Sequence, residues 1–189
     1  MRIGVCGGTF DPFHRGHLEP ILAARKTLGW ERILYVPAAT QPFKSEQPSA
    51  SGYHRFAMAQ LATLHHDDIW VTPMELERRG ISYTVDTLEV LHHRYPSAAF
   101  DWVIGDDNVA AFDQWKSPER LLQLARFVVL TRTGAEDDPR FTYAMNDVVA
   151  VSSTEIRRRV RSGEPIDAFV DPLVSRYIHH NGLYKEDQT

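Results

Sequence analysis

The stretch Gly7 to His17, GGTFDPFHRGH, constrains this chain more than any other part of it. A short apolar run, Ile3-Gly4-Val5-Cys6, leads into two adjacent glycines, and a helical pattern begins around His14, Gly16 and His17. Glycines let an anion come close to backbone N–H groups, and the first turn of a helix adds unpaired N–H groups and the positive end of its dipole. That combination describes a phosphate site. Two imidazoles beside it can donate to phosphate oxygens, where charge builds when phosphorus is attacked. Taken alone, an H-x-G-H pattern also suits an ordinary tight turn whose histidines cap or pack. The coincidence of strand, glycine pair and helix onset favours nucleotide chemistry.

Composition removes several alternatives. The chain has 189 residues, 43% hydrophobic and 24% charged, which suits one globular domain spanning 1–189 rather than a disordered chain. A formal net charge of -4 supplies no general basic field, so nucleic acid is not an expected partner and small substrates suit the chain better. Cys6 is the only cysteine, which rules out an internal disulfide and points to the cytoplasm. No apolar run approaches a membrane span, and the first residues read directly as a strand, so a soluble protein is expected.

Short β-branched or aromatic runs alternate with helical patterns along the chain. The expected fold is therefore α/β: a Rossmann-like, doubly wound, mainly parallel sheet of about five or six strands, helices on both faces, and a small C-terminal helical segment at about 152–184. Strands are expected near Arg2 to Gly7, Arg32 to Pro37, Ile69 to Thr72, Ala99 to Gly105, Arg126 to Thr131 and Val148 to Val151. Helices are expected from His17 to Leu28, after a capping Ser51, from Thr84 to Tyr95, after a capping Ser117, after the capping-box pattern Ser152-Ser153-Thr154-Glu155, and from Pro172 to His180. Ala38 to Ala50, Leu76 to Tyr83 and Arg132 to Asp147 read as longer connections. The pairs His65-His66, His92-His93 and His179-His180 do not make metal sites, because neighbouring helix positions point in different directions.

In an open parallel sheet, ligands bind beyond the carboxyl ends of the strands. There, Ile104-Gly105-Asp106-Asp107 offers a glycine for close approach and carboxylates able to hold ribose hydroxyls, while Ser152 to Arg157 offers a helix N-terminus and an arginine.

Together, GGTFDPFHRGH, VPAATQPFK at 36–44, ISYTVDTL at 81–88, IGDD at 104–107 and VSSTEIRRRV at 151–160 resemble the bacterial nicotinate mononucleotide adenylyltransferases almost from end to end. The resemblance implies adenylyl transfer from ATP to nicotinate mononucleotide, giving nicotinate adenine dinucleotide and pyrophosphate by direct in-line attack. It implies that His17 meets the α-phosphate and that His14 helps hold the triphosphate, with Gly7, Gly8, Thr9, Phe10 and Gly16 around the phosphates. Ser153, Thr154 and Arg157 would hold the β and γ groups, and Gly105 and Asp107 would sit by the nucleoside. Mg²⁺ is expected to arrive with ATP, without a dedicated protein cage.

The acceptor differs from its amide analogue by a ring carboxylate. The N–H groups of Thr84 and Val85 at a helix start can meet that carboxylate, and Trp115 can stack on the ring or simply pack beside Phe112. Lys44 and Arg132 are the candidates for the acceptor phosphate and the triphosphate. Here the chain departs from the family: Gln41-Pro42-Phe43-Lys44 stands where P-P-H-K is usual, and Arg132-Thr133-Gly134 where R-P-G is usual. Those departures keep open nicotinamide mononucleotide, or another phosphorylated small molecule, as acceptor. A nucleotide-binding regulator without turnover is a third reading. The sequence leaves open whether the chain forms a homo-oligomer.

Overall fold

The computed structural model describes residues 1–40, 42, 48–78, 80–131, 138–145 and 151–185. Six strands, β1 (Arg2–Gly8), β2 (Arg32–Pro37), β3 (Ile69–Val71), β4 (Ala99–Gly105), β5 (Arg126–Thr131) and β6 (Thr142–Met145), pair in the order β3-β2-β1-β4-β5-β6. Every pairing is parallel. The chain winds outward from β1 to β3 and then restarts on the other side of β1 with β4, so the connections diverge above β1 and β4. A crevice forms at that switch point in doubly wound sheets.

Alternation along the strands explains why both faces are covered. Ile33 and Tyr35 of β2, Val103 of β4 and Val128 of β5 enter one apolar core. Their neighbours Leu34, Val36, Trp102, Ile104, Phe127 and Val129 enter the other. The first core is closed by α1 (Arg15–Leu28), α2 (Gly52–Thr63), α6 (Ser153–Arg161) and α7 (Pro172–His180), through residues such as Ile21, Met58, Ile156 and Ile178. The second is closed by α3 (Met74–Arg78), α4 (Thr84–Arg94) and α5 (Pro118–Leu124), through Met74, Leu88 and Leu121. None of the described helices is long and apolar enough to cross a membrane.

Asp101 anchors the end of the sheet opposite the crevice. Its fully buried carboxylate accepts from Trp30 Nε1 at 2.6 Å and from the Arg2 and Arg126 guanidiniums.

Most helix boundaries follow local capping chemistry. Ser51 and Ser152 accept from the N–H groups of His54 and Glu155, and Gly29 ends α1 in the left-handed region. Ser117 does not cap α5: at φ 57° and ψ 61° it is itself left-handed and makes no side-chain cap hydrogen bond, so Pro118 alone marks that start. The sixth strand is also displaced. It is Thr142–Met145, within the stretch expected to be a connection, while the expected strand at 148–151 lies, except for the non-strand Val151, outside the described residues. A short helix, α3, and an isolated parallel bridge between Thr40 and Ile81 also occupy stretches read as connections.

Candidate active site

A cleft of about 540 Å³ opens above the carboxyl ends of β1 and β4, and Gly7, Gly8, Gly16, His17, Gly105 and Asp107 all line it. Gly7 and Gly8 belong to β1 itself, and aromatic packing explains their size. A Cβ on Gly7 would stand 2.7 Å from the Trp102 ring, and one on Gly8 would stand 2.8 Å from the Phe10 ring. The left-handed residue of the turn is Phe10, at φ 53°. Its side chain is buried, so what it offers a nucleotide is backbone, while its ring stands edge-on to His17 at 5.0 Å.

His17 is fixed from several directions. Its Nδ1 accepts from the His14 N–H at 3.2 Å, its carbonyl accepts from the buried Tyr35 hydroxyl at 2.8 Å, and its ring stacks on His14 at 3.7 Å. With Nδ1 accepting, a neutral His17 carries its proton on Nε2, which makes it a hydrogen-bond donor within a cleft-lining side chain. His14 lies behind it, 6% exposed, with Nδ1 buried and unpartnered among the described residues. Burial pulls its pKa down to about 4, so the ring is neutral near pH 7.

Behind the turn, two residues outside the sequence expectations carry the structure. The Asp11 carboxylate, 5% exposed, accepts from the N–H groups of Ser49 and Ala50 at 2.7 and 3.2 Å and from the Tyr184 hydroxyl at 2.7 Å. Arg55, 1% exposed, donates to the carbonyls of Thr9, Ala38 and Ala50. Burial lowers the Arg55 pKa and Asp11 opposes that shift, so the guanidinium remains charged. From the other side Arg157 donates to the Asp11 carbonyl at 2.7 Å and Ser153 to the Pro12 carbonyl at 3.1 Å, which docks the start of α6 on the same turn. Thr154 sits beside Arg157, Oγ1 to Nη2 at 3.4 Å.

The other end of the cleft is walled by Ser82, Tyr83, Thr84, Trp115 and Lys116. Tyr83 precedes α4 without a side-chain cap, so no side chain from that position occupies the first N–H groups of the helix. Val85 is buried and can contribute only its backbone. Trp115 packs against Phe112 at 5.6 Å as well as lining the cleft, so packing and ligand contact coexist there. Lys116 binds Asp86 at 2.7 Å and lies 4.8 Å over the Tyr83 ring, a cation the sequence reading did not single out.

This architecture agrees with known proteins. Residues 5–159 match the Cytidylyltransferase-like family model. A Gemmatimonas aurantiaca protein called a probable nicotinate-nucleotide adenylyltransferase is 41% identical, across 98% of this chain and 93% of its own. The chain belongs to the nicotinate-nucleotide adenylyltransferase family. A relative of the same name from Herpetosiphon aurantiacus is 35% identical over 97% of this chain and 98% of its own. Among solved structures, Plasmodium falciparum nicotinic acid mononucleotide adenylyltransferase complexed with NaAD superposes with TM-score 0.74 at 23% identity, covering 97% of each chain, a likeness of fold.

Nine of the residues expected to bind substrate line one cleft: Gly7, Gly8, Phe10, Gly16, His17, Thr84, Gly105, Asp107 and Trp115. His14 stacks behind His17. Ser153 and Arg157 are engaged with the turn's carbonyls at the rear. Thr9 contributes a carbonyl to Arg55. Lys44 and Arg132, the candidates for the acceptor phosphate and triphosphate, lie outside the described residues.

Proposed function

We propose that this protein transfers the adenylyl group of ATP to nicotinate mononucleotide, releasing pyrophosphate and forming nicotinate adenine dinucleotide. The observation that carries the reading is the setting of His17: it lines the cleft and its Nδ1 accepts from the His14 N–H, so the neutral ring carries its proton on Nε2.

The acceptor phosphate oxygen attacks the α-phosphorus, the bond from that phosphorus to the bridging oxygen of the β-phosphate breaks, and pyrophosphate leaves. No base is required, because a phosphate monoester is already ionised near neutrality. Catalysis then consists of alignment and stabilisation of charge on the crowded phosphorus. His17 donates to the α-phosphate oxygens, His14 and the backbone of the β1 turn hold the triphosphate, and Ser153, Thr154 and Arg157 at the start of α6, docked on that turn, are assigned to its β and γ groups. Gly105 and Asp107 are assigned to the nucleoside, and the two are packed together: a Cβ on Gly105 would stand 2.5 Å from Asp107 Oδ1.

Nucleotidyltransferases of this family generally use a divalent metal with ATP; Mg²⁺ is the ion we assign. Among the described residues no three His, Cys, Asp or Glu side chains form a metal group. The carboxylates lining the cleft are Glu75, Asp106 and Asp107, of which Glu75 accepts from Thr87 and Asp107 from Asn108. Of these, Asp106 and Asp107 are the carboxylates that would face a cation carried in by phosphate oxygens and water. Arriving with ATP, Mg²⁺ would neutralise part of the triphosphate charge.

At the acceptor end, the uncapped N-terminus of α4 meets the ring carboxylate and Trp115 stacks on the pyridine, with Lys116 adding positive potential. Lys44 and Arg132 are assigned to the acceptor phosphate and triphosphate on sequence grounds alone. Purified protein with ATP and Mg²⁺ should release pyrophosphate rapidly with nicotinate mononucleotide and far more slowly with nicotinamide mononucleotide. Equal rates would remove the carboxylate argument, and no pyrophosphate with either acceptor would remove the activity.

A further inference from the structure

Glu75 is a buried carboxylic acid, 4% exposed, at the acceptor wall of the cleft, and the steps just described do not use it. Its surroundings are directional. The Thr87 hydroxyl has a single proton and two acceptors in reach: Glu75 Oε1 at 2.5 Å and the Tyr83 carbonyl at 3.3 Å, so the shorter contact takes it. Arg78 Nη2 donates to the same hydroxyl at 3.0 Å, occupying a lone pair and fixing the proton toward Glu75. A second hydroxyl, Ser82, also hydrogen-bonds Glu75, and its oxygen accepts from the Ala39 N–H at 3.0 Å. Both relays start at a group that can only donate and end on the Glu75 side chain, so the position calls for an acceptor.

The three segments joined in this way build the acceptor end. Thr87 lies in the first turns of α4, Ser82 immediately precedes that helix, and Ala39 lies on the chain leaving β2, where the Ser82 N–H also reaches the Thr40 carbonyl at 2.8 Å. We propose that Glu75 is a positioning residue for acceptor recognition, setting where the opening N–H groups of α4 stand and thereby the preference for a pyridine carboxylate over its amide. The inference rests on the adenylyl transfer proposed above. It concerns the acceptor alone, because the phosphate turn is held by a separate set centred on Asp11, Arg55 and Arg157.

Glu75→Gln keeps the shape of the side chain but replaces one of its two acceptor oxygens with an amide N–H₂ that can only donate, between the hydroxyls of Thr87 and Ser82. Calorimetric titration of the protein in Mg²⁺-containing buffer should show nicotinate mononucleotide binding weakened about tenfold or more, the cost of a buried polar mismatch. ATP binding should stay within about twofold, and the preference for nicotinate over nicotinamide mononucleotide should shrink. Thr87→Val should shift acceptor affinity in the same direction, while Thr87→Ser, which keeps the hydroxyl, should restore it. Unchanged acceptor affinity in Glu75→Gln, or equal losses for acceptor and ATP, overturns the inference. Should Glu75→Gln not fold, the Thr87 pair decides, and wild-type acceptor affinity in Thr87→Val overturns it. Wild-type protein that neither binds nor adenylylates nicotinate mononucleotide refutes the functional reading itself, before any variant is made, and this inference falls with it.

Discussion

At the phosphate end of the cleft, the groups assigned to ATP's phosphates lie largely within Gly7–His17 and are braced from behind by Arg55, Arg157 and Tyr184, residues distant in sequence. The acceptor end is less continuous: Ser82 and Thr84 share the stretch 81–88, while Glu75 and the adjacent Trp115 and Lys116 come from other segments and meet them only in the folded chain. One consequence concerns tolerance. A turn held by buried charge-assisted hydrogen bonds accepts few changes, since removing one partner strands the others. A wall assembled from several short segments can change one contact at a time. The proposed function therefore assigns chemistry to the first region and substrate choice to the second.

The sharpest way to break that division is His17→Ala. Turnover should fall by about a thousandfold, the scale of losing a preorganised donor to a developing anion, while the melting temperature stays close to wild type. Steady-state pyrophosphate release beside a thermal melt checks it. A drop of less than about tenfold would place the chemistry elsewhere in the cleft.

A second effect belongs to the brace behind that histidine. His14 has a folded pKa of about 4, below its ordinary value near 6.5, because burial disfavours the charged ring. Between those two pH values the unfolded chain binds more protons than the folded one, so stability rises with pH through the window. The contribution is complete above about pH 6.5 and is lost as pH falls toward 4, amounting to about 3 kcal/mol at most. Denaturant melts between pH 4 and 7 should show a steeper acid loss for wild type than for His14→Gln; parallel curves would mean that the ring is not held neutral.

Arg157→Lys comes next. The lysine keeps the charge but cannot reach the Asp11 carbonyl and the Thr154 hydroxyl together as the guanidinium does. The specificity constant kcat/KM for ATP should drop about tenfold to a hundredfold, with acceptor KM little changed. A loss confined to the acceptor KM would contradict the assignment of α6 to the triphosphate.

The same contrast explains what could be read from the sequence. The β1 turn and α1 were legible because strand, glycines and helix onset are neighbours in the chain, and the caps at Ser51 and Ser152 because they are local hydrogen bonds. Ser117 carried the right composition for a cap, yet its left-handed backbone withdraws the side chain from that role. The half-exposed edge strand β6 lacks a strong apolar alternation, so Thr142–Met145 did not stand out from its surroundings. Arg55 falls in the helix expected after Ser51 and Glu75 beside a stretch read as a connection, with no local signal marking either; their importance arises from partners that only the tertiary fold supplies, Thr9 for the first and Ser82 with Thr87 for the second. Asp11 sat inside the recognised motif, but its bonds to Ser49, Ala50 and Tyr184 have no local signature.

The smallest expected change tests the acceptor wall at its aromatic. Trp115 touches Phe112 and Phe127, at ring separations of 5.6 and 6.3 Å, and also faces the cleft, so truncation affects both the fold and the ligand. Trp115→Phe separates them. It retains an apolar ring for Phe112 and Phe127 while reducing the surface available for stacking on a pyridine, a difference worth a few-fold to about tenfold in acceptor KM. ATP KM should not move, because the triphosphate is assigned to the opposite end of the cleft. Equal changes in both constants would mean that Trp115 serves the shape of the whole cleft, and the separation of chemistry from choice would then have to be drawn along a different line.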